Sequence, residues 1–426
     1  MKQTYFILFY LITFSLLAQQ ADTLTRKSHF IISPEVLVGI TAEANSYFPD
    51  HGLQTQGIVS FGWEHDTNAQ EWAQRLKGPR TGISFGYTNF GNSENLGSAF
   101  SILPFIEFNI FKSKKITLQA ATGASYFTRK YDSISNPNNE AVTTDITWSF
   151  RLFGYYRLIS TPHIDWRTSI GYAHHSNGHT RLPNQGFNSF LIGVSADIKT
   201  PQKPFLYTNS VTQNYPSSRY DYFALRSGYG LQVLAKPFND KKPVYVFSGE
   251  YGRVFNNTYK LGVGMYYRFY QHYYDYIQEN ESLVQEGREF NSFRDNPTWS
   301  ASNLGVFATG EVLLNHFGIN LQLGLNLHKP AYKIDWRINQ GWSYVPAEIP
   351  ENSSIVLGEF DTKFKLKKLI SSRLGLKYYF IGTRKAPKNN FFIGAHINSN
   401  LGQADFTEIS FGYVHSFKKK KPLLTE

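Results

Sequence analysis

The stretch from Gly318 to His328 reads G-I-N-L-Q-L-G-L-N-L-H. Isoleucine or leucine occupies every second position, and glycine, asparagine, glutamine or histidine occupies the positions between. Because successive side chains of a β-strand point to opposite faces, this segment has one apolar face and one polar face. A strand of roughly ten residues with an apolar outer face and a polar inner face is typical of the wall of a membrane β-barrel.

The composition of the 426-residue chain indicates the same class of protein. Aromatic residues make up 16% of it, including 28 tyrosines and 35 phenylalanines, and charged residues make up only 18%. A water-soluble domain usually carries about 25% charged residues, whereas membrane barrels collect aromatic side chains at both interfaces. No apolar run in the sequence is long enough for a transmembrane helix. We therefore expect an all-β protein, a transmembrane antiparallel β-barrel of the outer-membrane type.

The same alternation recurs along the chain in about 17 candidate strands, which are separated by turn residues. Bacterial single-chain barrels have even strand numbers, so at least one candidate is wrong, and we predict about 14–16 strands. A single barrel is the preferred arrangement, because one closure removes all strand edges. Two tandem eight-stranded barrels are the alternative, since residues 201–220 are rich in proline, serine and asparagine and read as a linker.

The N-terminal segment predicts export. A short basic start at Met1-Lys2 precedes an apolar run from Tyr5 to Leu17 and the small residue Ala18, which is the pattern of a secretory signal peptide. The expected organisation along the chain is a signal peptide at 1–18, a first barrel unit at 19–200, a linker or long turn at 201–220, further strands that complete or add to the barrel at 221–417, and a basic tail at 418–426.

Charge and the lack of cysteine limit the partners. The formal net charge is +11 and there is no cysteine, so disulfides, lipoprotein attachment and thiolate metal sites are excluded. We expect no cofactor and no metal, because no group of acidic residues and histidines has metal-ligand spacing. A basic protein favours anionic partners, and the abundant anion in the outer membrane of a Gram-negative bacterium is its phosphorylated lipid. The predicted export of the chain argues against nucleic acid as a partner. The sequence leaves the oligomeric state open.

Connection lengths predict how the strands are oriented. Short turns at 111–114 and 159–162 suit the periplasmic side, and long polar loops such as 131–142 suit the outside. Residues 66–78 are a misfit, because this connection is long where a short turn is expected. On this alternation the strand at 162–176 runs outward and ends near the outer leaflet.

Residues Ile164 to Ser189 carry the strongest functional signal, I-D-W-R-T-S-I-G-Y-A-H-H-S-N-G-H-T-R-L-P-N-Q-G-F-N-S. Trp166 and Ile170 share one face of the predicted strand, and the same parity continues to His174 and Ser176. A two-residue step spans about 6.6 Å along a strand, so an imidazole and a hydroxyl at that spacing can form the nucleophile–base pair of acyl transfer. The spacing alone also fits a polar strand end at the membrane interface.

The segments Tyr172 to Gly178 and Pro183 to Phe187 together resemble the outer-membrane lipid A 3-O-deacylases, the PagL-like family, over about residues 30–200. That family carries an H-x-S-N element at the end of a strand, followed by a P-N-x-G loop. The resemblance implies that Ser176 is the nucleophile and His174 the base, that Asn177 and Asn184 lie in the oxyanion region, and that lipid A within lipopolysaccharide is the substrate. Arg181 in the loop is a candidate contact for a lipid phosphate, because arginine binds phosphate through two hydrogen bonds.

One position departs from the family pattern. The family has a glutamate that orients the histidine, and the matching residue here is Asn188. An asparagine carbonyl can hold the imidazole N–H, as in Cys-His-Asn proteases, but it cannot stabilise the imidazolium by charge. Asn188 has the parity of Ile192 and Val194, which places it on the same predicted face as His174.

Two readings of function follow. The first is an esterase that removes an ester-linked acyl chain from lipid A. The alternative is a non-catalytic barrel for transport or adhesion with a relic motif, which the C-terminal half favours because the resemblance does not cover it. A short echo of residues 171–177 occurs at Gly394 to Asn400, G-A-H-I-N-S-N.

Overall fold

The computed structural model describes residues 28–200, 215–338 and 361–417. The predicted signal peptide and basic tail lie outside these ranges, as does most of the predicted linker. These described ranges contain sixteen strands, which are antiparallel to their neighbours and belong to two closed sheets.

The first barrel contains eight strands, each paired with its neighbours in sequence. It closes where the first strand pairs with the last, from Ala42 opposite Asn188 to Ile31 opposite Lys199. Its strands are β1 (His29–Ala42), β2 (Gln54–Glu64), β3 (Arg80–Asn89), β4 (Ser98–Asn109), β5 (Ile116–Phe127), β6 (Ile146–Ser160), β7 (Ile164–Ser176) and β8 (Phe187–Lys199).

The second barrel also contains eight strands. It closes where its first strand pairs with its last, from Leu231 opposite Thr407 to Asp221 opposite Phe417. Its strands are β9 (Arg219–Gln232), β10 (Lys242–Phe255), β11 (Tyr259–Tyr270), β12 (Ser302–Leu314), β13 (Phe317–His328), β14 (Ile370–Tyr379), β15 (Asn389–Asn400) and β16 (Gln403–Phe417).

The β-barrel class is therefore confirmed, and so is the alternative of two tandem eight-stranded barrels. The preference for a single barrel is wrong. An eight-stranded sheet already closes around an interior that side chains can fill, so each half of the chain removes its own edges without the other. The alternation along each strand is the same in either arrangement, and for that reason it did not distinguish them.

Short helices lie in the connections. They are α1 (Glu71–Arg75), α2 (Gln271–Gln278), α3 (Pro297–Ser300), α4 (Tyr332–Ile338) and α5 (Asp361–Leu369), with 3-10 turns at Asn291–Asp295 and Thr383–Lys385. Among the residues that the structure describes, no helix has the length and hydropathy needed to cross a bilayer.

The candidate strand at 355–368 is wrong where the structure describes it. Residues 355–360 lie outside the described ranges, and the chain from Asp361 forms α5. Phe364 and Leu366 alternate with lysines, which suggested a strand. The buried residues are instead Phe364 and Lys367, three apart, and the Phe364 ring stacks on Trp336 with centroids 4.4 Å apart. This spacing is that of one helix face.

Burial alternates along the barrel walls as the sequence predicts. In β13, Leu323 is 57% exposed on the outer surface, whereas Asn320 inside is 1% exposed. In β7, Trp166 and Ile170 lie outside and are exposed, while Arg167 and Ser169 are buried inside. The outer surfaces therefore carry the apolar side chains and the lumens carry the polar ones.

Paired charges fill the lumen of the first barrel. Arg151 Nη2 donates to Glu35 Oε2 at 2.5 Å, and Ser169 Oγ donates to the other Glu35 oxygen at 2.7 Å. Arg167 bridges two carboxylates, Glu107 at 2.8 Å and Asp197 at 2.9 Å. A charge removed from water needs such partners, so the lumen is a polar core.

The lumen of the second barrel is organised in the same way. Lys377 Nζ donates to Glu311 Oε2 at 2.7 Å, and Arg373 Nη2 donates to Glu408 Oε1 at 3.1 Å. Apolar side chains from the connections, including Tyr273, Ile277 and Phe290, pack above these ion pairs with Phe406.

Connections join the two barrels at both ends. We name the end with the long connections, such as 128–145 and 177–186, the loop end, and the end with the short turns, such as 161–163, the turn end. The misfit connection between β2 and β3 lies at the turn end and contains α1. There Glu71 Oε2 accepts from Asn257 Nδ2 at 2.9 Å, and Arg75 Nη2 donates to the Tyr215 carbonyl at 2.9 Å. The additional residues of this connection therefore contact the second barrel and the segment that precedes it.

The ion pairs in the lumen predict a strong effect on stability. Replacement Arg151→Met leaves the buried Glu35 carboxylate without its cation, and we expect the free energy of unfolding to fall by about 3–5 kcal/mol. Replacement Arg157→Met removes a half-exposed partner 3.6 Å from Asp165 at the turn end, and should cost about 1 kcal/mol or less. Urea unfolding in detergent micelles measures both. Equal losses would contradict a lumen held by buried ion pairs.

Candidate active site

His174, Ser176 and Asn188 lie together at the loop end of the first barrel. His174 and Ser176 occupy the end of β7, and Asn188 lies directly opposite His174 on β8. All three have the parity of the exposed residues Ile170 and Ile192, so they belong to the outer surface of the barrel. His174 and Asn188 are half-buried there, and Ser176 is buried.

Two hydrogen bonds to Asn188 fix the orientation of the His174 ring. The Asn188 Oδ1 atom lies 2.9 Å from His174 Nδ1 and accepts from the Tyr172 hydroxyl at 2.6 Å. An amide oxygen can only accept hydrogen bonds, so His174 Nδ1 is the protonated nitrogen. The lone pair of a neutral ring is then on Nε2, which is the arrangement a general base requires.

The Ser176 hydroxyl oxygen accepts two hydrogen bonds. Asn184 Nδ2 donates to it at 2.9 Å, and the backbone N–H of Gly178 donates to it at 3.3 Å. Among the described residues, no hydrogen bond joins the His174 ring to this hydroxyl. Catalytic hydrogen bonds are often long until substrate binds, and the two side chains remain on one face of one strand.

The loop between β7 and β8 is built on Asn177. Its Oδ1 accepts from the Thr180 N–H at 3.2 Å and its Nδ2 donates to the Arg181 carbonyl at 2.7 Å. Its own backbone N–H donates to Asn184 Oδ1 at 2.9 Å. The Asn177 side chain therefore holds the loop, while Asn184 is the side chain that reaches Ser176.

Gly186 packs against His174 in a backbone conformation that favours glycine. Its φ angle is +79°, and a Cβ atom at this position would lie 2.7 Å from His174 Cε1. Its N–H donates to the Ala141 carbonyl at 2.8 Å. The P-N-x-G sequence of the loop therefore supplies both Asn184, which contacts Ser176, and Gly186, which packs on His174.

The neighbouring residues have other surroundings. His175 points into the lumen, where its Nδ1 lies 2.8 Å from Ser149 Oγ, as expected for a polar wall residue. Arg181 is exposed at the loop end. His179 lies between the barrels, and burial lowers the pKa of its imidazole, so a neutral ring is favoured and a charge-based contact with phosphate is not.

The second barrel carries the echo on the corresponding strand. Gly394 to Asn400 lies in β15, the seventh strand of the second barrel, as β7 is of the first. Aligned without gaps, Ser399 matches Ser176 and Ile397 matches His174. His396 instead points into the lumen, where Arg373 Nη2 lies 2.8 Å from its Nδ1. The serine of β15 therefore has no histidine at the position of the base.

A histidine held by asparagine and tyrosine also occurs at the turn end of the second barrel. Asn389 Oδ1 lies 2.9 Å from His415 Nδ1 and accepts from the Tyr413 hydroxyl at 2.7 Å. This reproduces the contacts of His174 without a serine two residues further along. The three hydrogen-bonded residues, histidine, asparagine and tyrosine, therefore occur in both barrels. The site of the first barrel differs because Ser176 and its two hydrogen-bond donors lie beside them.

Several residues of the site were not singled out from the sequence. The Tyr172 hydroxyl and the Gly178 N–H are part of it, and Trp148 lies beside Ser176 on β6. The parity of Tyr172 was visible, but its hydrogen bond to Asn188 depends on strand register. Within the described ranges, no group of three or more histidine, aspartate or glutamate side chains is placed to hold a metal ion.

Two family models match the chain. The family described as lipid A 3-O-deacylase (PagL) matches residues 57–197, and the family described as acyloxyacyl hydrolase, C-terminal domain, matches residues 218–341. No curated protein sequence matches.

Solved structures with some likeness are outer-membrane proteins. The outer membrane enzyme PagL is 15% identical, with 38% of this chain and 97% of that chain covered and a TM-score of 0.28. The NanC porin is 7% identical, with 91% of this chain and 100% of that chain covered and a TM-score of 0.16.

The contact between Gly186 and His174 predicts a selective effect. Replacement Gly186→Ala should displace the imidazole and slow the reaction of Ser176 with a fluorophosphonate probe about tenfold or more. The matched control is Gly402→Ala, because Gly402 also has a positive φ, +86°, but a Cβ atom there meets nothing within 4 Å. Both changes carry a similar backbone cost. Equal labelling of the two variants would show that Gly186 does not position His174.

Proposed function

Because the chain belongs to the PagL-like family of outer-membrane lipid A 3-O-deacylases, we propose that it is an esterase that removes an ester-linked acyl chain from lipid A. The observation that carries the proposal is the pair of contacts at the nucleophile and the base. Asn184 Nδ2 lies 2.9 Å from Ser176 Oγ, and Asn188 Oδ1 lies 2.9 Å from His174 Nδ1. The Asn188 contact places the ring proton on His174 Nδ1 and leaves the Nε2 lone pair available as a base, and the Asn184 contact holds the hydroxyl oxygen on the same face of β7.

Acylation begins when His174 Nε2 takes the proton of Ser176 Oγ as the oxygen attacks the ester carbonyl carbon. The carbonyl oxygen becomes negatively charged in the tetrahedral intermediate. Asn184 Nδ2 and the Gly178 N–H lie beside the Ser176 oxygen, and we assign them to this oxyanion because it forms on the carbon to which that oxygen becomes bonded. The intermediate collapses when the C–O bond to the sugar breaks and His174 gives its proton to the leaving hydroxyl.

Deacylation repeats these steps with water. His174 takes a proton from a water molecule that attacks the acyl-enzyme, and the fatty acid leaves as Ser176 recovers its proton. Asn188 keeps the ring oriented through both halves of the reaction. Because Asn188 is neutral, it stabilises the imidazolium less than a carboxylate would, so we expect a slower enzyme than one with glutamate at this position.

The surroundings suit a lipid substrate. Ile170 and Phe190, which are 68% and 56% exposed, lie on the same outer surface as His174, and such a surface borders acyl chains in a membrane. An ester of lipid A would then reach Ser176 laterally. Arg181 is exposed in the same loop and is the residue we assign to a lipid A phosphate, because its guanidinium can form two hydrogen bonds to it.

The alternative of a transport barrel is less favoured. In the described residues, buried ion pairs such as Arg151 with Glu35 and Lys377 with Glu311 occupy the two lumens. A diffusion pore needs a water-filled channel, which larger barrels of about 16–18 strands provide.

The first prediction for the reaction concerns the nucleophile. Wild-type protein incubated with lipid A should release a fatty acid detectable by mass spectrometry, and Ser176→Ala should reduce the rate by several orders of magnitude. The matched control is Ser399→Ala, which removes the corresponding serine of the second barrel and should leave the rate unchanged. Both variants should stay folded, because loss of the hydroxyl that accepts from Asn184 costs about 1–3 kcal/mol, which is less than the stability of a typical domain. Unaltered lipid A with wild-type protein would overturn the proposed function.

The second prediction concerns Asn188. Replacement Asn188→Ala removes the acceptor of His174 Nδ1 and should lower kcat, whereas Asn188→Glu or Asn188→Asp should preserve or raise it, because a carboxylate stabilises the imidazolium. Asn389→Ala makes the same change beside His415 at the turn end and should have no effect on kcat. If asparagine, alanine and glutamate at 188 gave the same kcat, the residue would have no part in the reaction.

A further inference from the structure

We propose that the second barrel holds the catalytic loop of the first barrel in place, and that Asn239 is the positioning residue through which it acts. This inference rests on the proposed function of the Ser176 site. It assigns a role to the half of the chain that contributes no nucleophile or base.

Asn239 binds the backbone of the catalytic loop with both atoms of its amide. Its Oδ1 accepts from the Leu182 N–H at 2.8 Å, and its Nδ2 donates to the Leu182 carbonyl at 2.6 Å. The side-chain amide of Asn239 thus pairs with the N–H and C=O groups of Leu182 in the way that the backbone of a neighbouring β-strand would. The second barrel forms another hydrogen bond to this loop, because the Val233 N–H donates to the His179 carbonyl at 3.1 Å.

Leu182 is two residues before Asn184, the side chain that donates to Ser176 Oγ. On the other side of the loop, Thr143 Oγ1 donates to the Pro183 carbonyl, and the Gln185 N–H donates to the Glu140 carbonyl at 3.1 Å. The backbone before Asn184 is therefore held between a loop of the first barrel and Asn239 of the second. Removing Asn239 frees one side of it, and a displacement of about 1 Å at a catalytic group can cost about 100-fold in rate.

The hairpin that presents Asn239 is firmly packed. Leu234 and Ala235 are completely buried in the apolar cluster at the loop end of the second barrel, and Ala235 pairs with Phe238. Ordered packing of this kind lets Asn239 impose a position on the loop, because the hairpin itself has little freedom to follow it.

The two barrels also touch directly beside the nucleophile. Trp148 Nε1 donates to Thr407 Oγ1 at 3.0 Å, and a Cβ atom on Gly178 would lie 2.3 Å from the same hydroxyl oxygen. Gly178 supplies the backbone donor to Ser176. The second barrel therefore meets the catalytic loop at Gly178, His179 and Leu182, in the segment between Asn177 and Asn184.

Contacts at the turn end provide the matched control. The barrels are joined there by Asn257 Nδ2, which donates to Glu71 Oε2 at 2.9 Å, far along the barrel from Ser176. If contacts between the barrels only keep them together, loss of Asn239 and loss of Asn257 should have the same effect. If Asn239 positions the loop, only its loss should slow the reaction.

The experiment uses the full-length protein in detergent micelles with lipid A as substrate, in the wild type and in Asn239→Ala, Asn257→Ala, Asn184→Ala and the double variant Asn184→Ala/Asn239→Ala. We expect Asn239→Ala to lower kcat about 10- to 100-fold with little change in KM, and Asn257→Ala to stay within about twofold of wild type. The double variant should be no slower than Asn184→Ala, because Asn239 acts through Asn184. Independent, multiplicative losses in the double variant, or equal effects of Asn239→Ala and Asn257→Ala, would overturn the proposal.

Hydrogen–deuterium exchange separates this proposal from the proposed function. Asn239→Ala should raise the exchange rate of the amides at 177–186 about tenfold, and Asn257→Ala should not. If wild-type protein releases no fatty acid, the proposed function fails, and the exchange rates still decide whether Asn239 holds the loop. Unchanged exchange in Asn239→Ala would show that it does not.

Discussion

The structure depends on one constraint, the pairing of every backbone N–H and C=O group in a part of the chain that crosses a bilayer. A sheet meets this constraint only by closing, because an open edge would leave a row of unpaired groups in the hydrocarbon. The chain closes twice, once between β1 and β8 and once between β9 and β16. With eight strands the interior is just wide enough for side chains, and this fixes where every charged residue can lie.

The positions of the charged side chains follow from the closure of the two sheets. The outer surface borders lipid in the outer membrane, so charged side chains of the wall point inward and must find partners there. They do so in clusters such as Arg167 with Glu107 and Asp197, which give each lumen a polar core. The charged side chains of such clusters are therefore paired with one another inside the barrels. His174 and Ser176 form a polar pair on that largely apolar surface.

The two barrels are unequal partners. The seventh strand of each presents a serine outward, but Ile397 stands in the second barrel where His174 stands in the first. A held histidine occurs again at His415, without a serine beside it. Within the part of the chain that the structure describes, the elements of the site thus appear separately in the second barrel and together in the first. What the second barrel adds is support, through Glu71 and Asn257 at the turn end and through Leu182 and Asn239 at the loop end.

The sequence by itself determined the barrel class, the inward and outward faces of its strands, and the candidate residues His174, Ser176, Asn184 and Asn188, because each rests on a period of two or on a short contiguous motif. It did not determine how many barrels there are, because alternation is identical in one sheet of sixteen strands and two of eight. Nor did it identify 361–369 as a helix, since Phe364 alternates with lysines and only packing against Trp336 selects the other spacing. The tertiary structure alone brought Asn239 to Leu182, 57 residues away, because closing each half into its own barrel places the loop ends side by side.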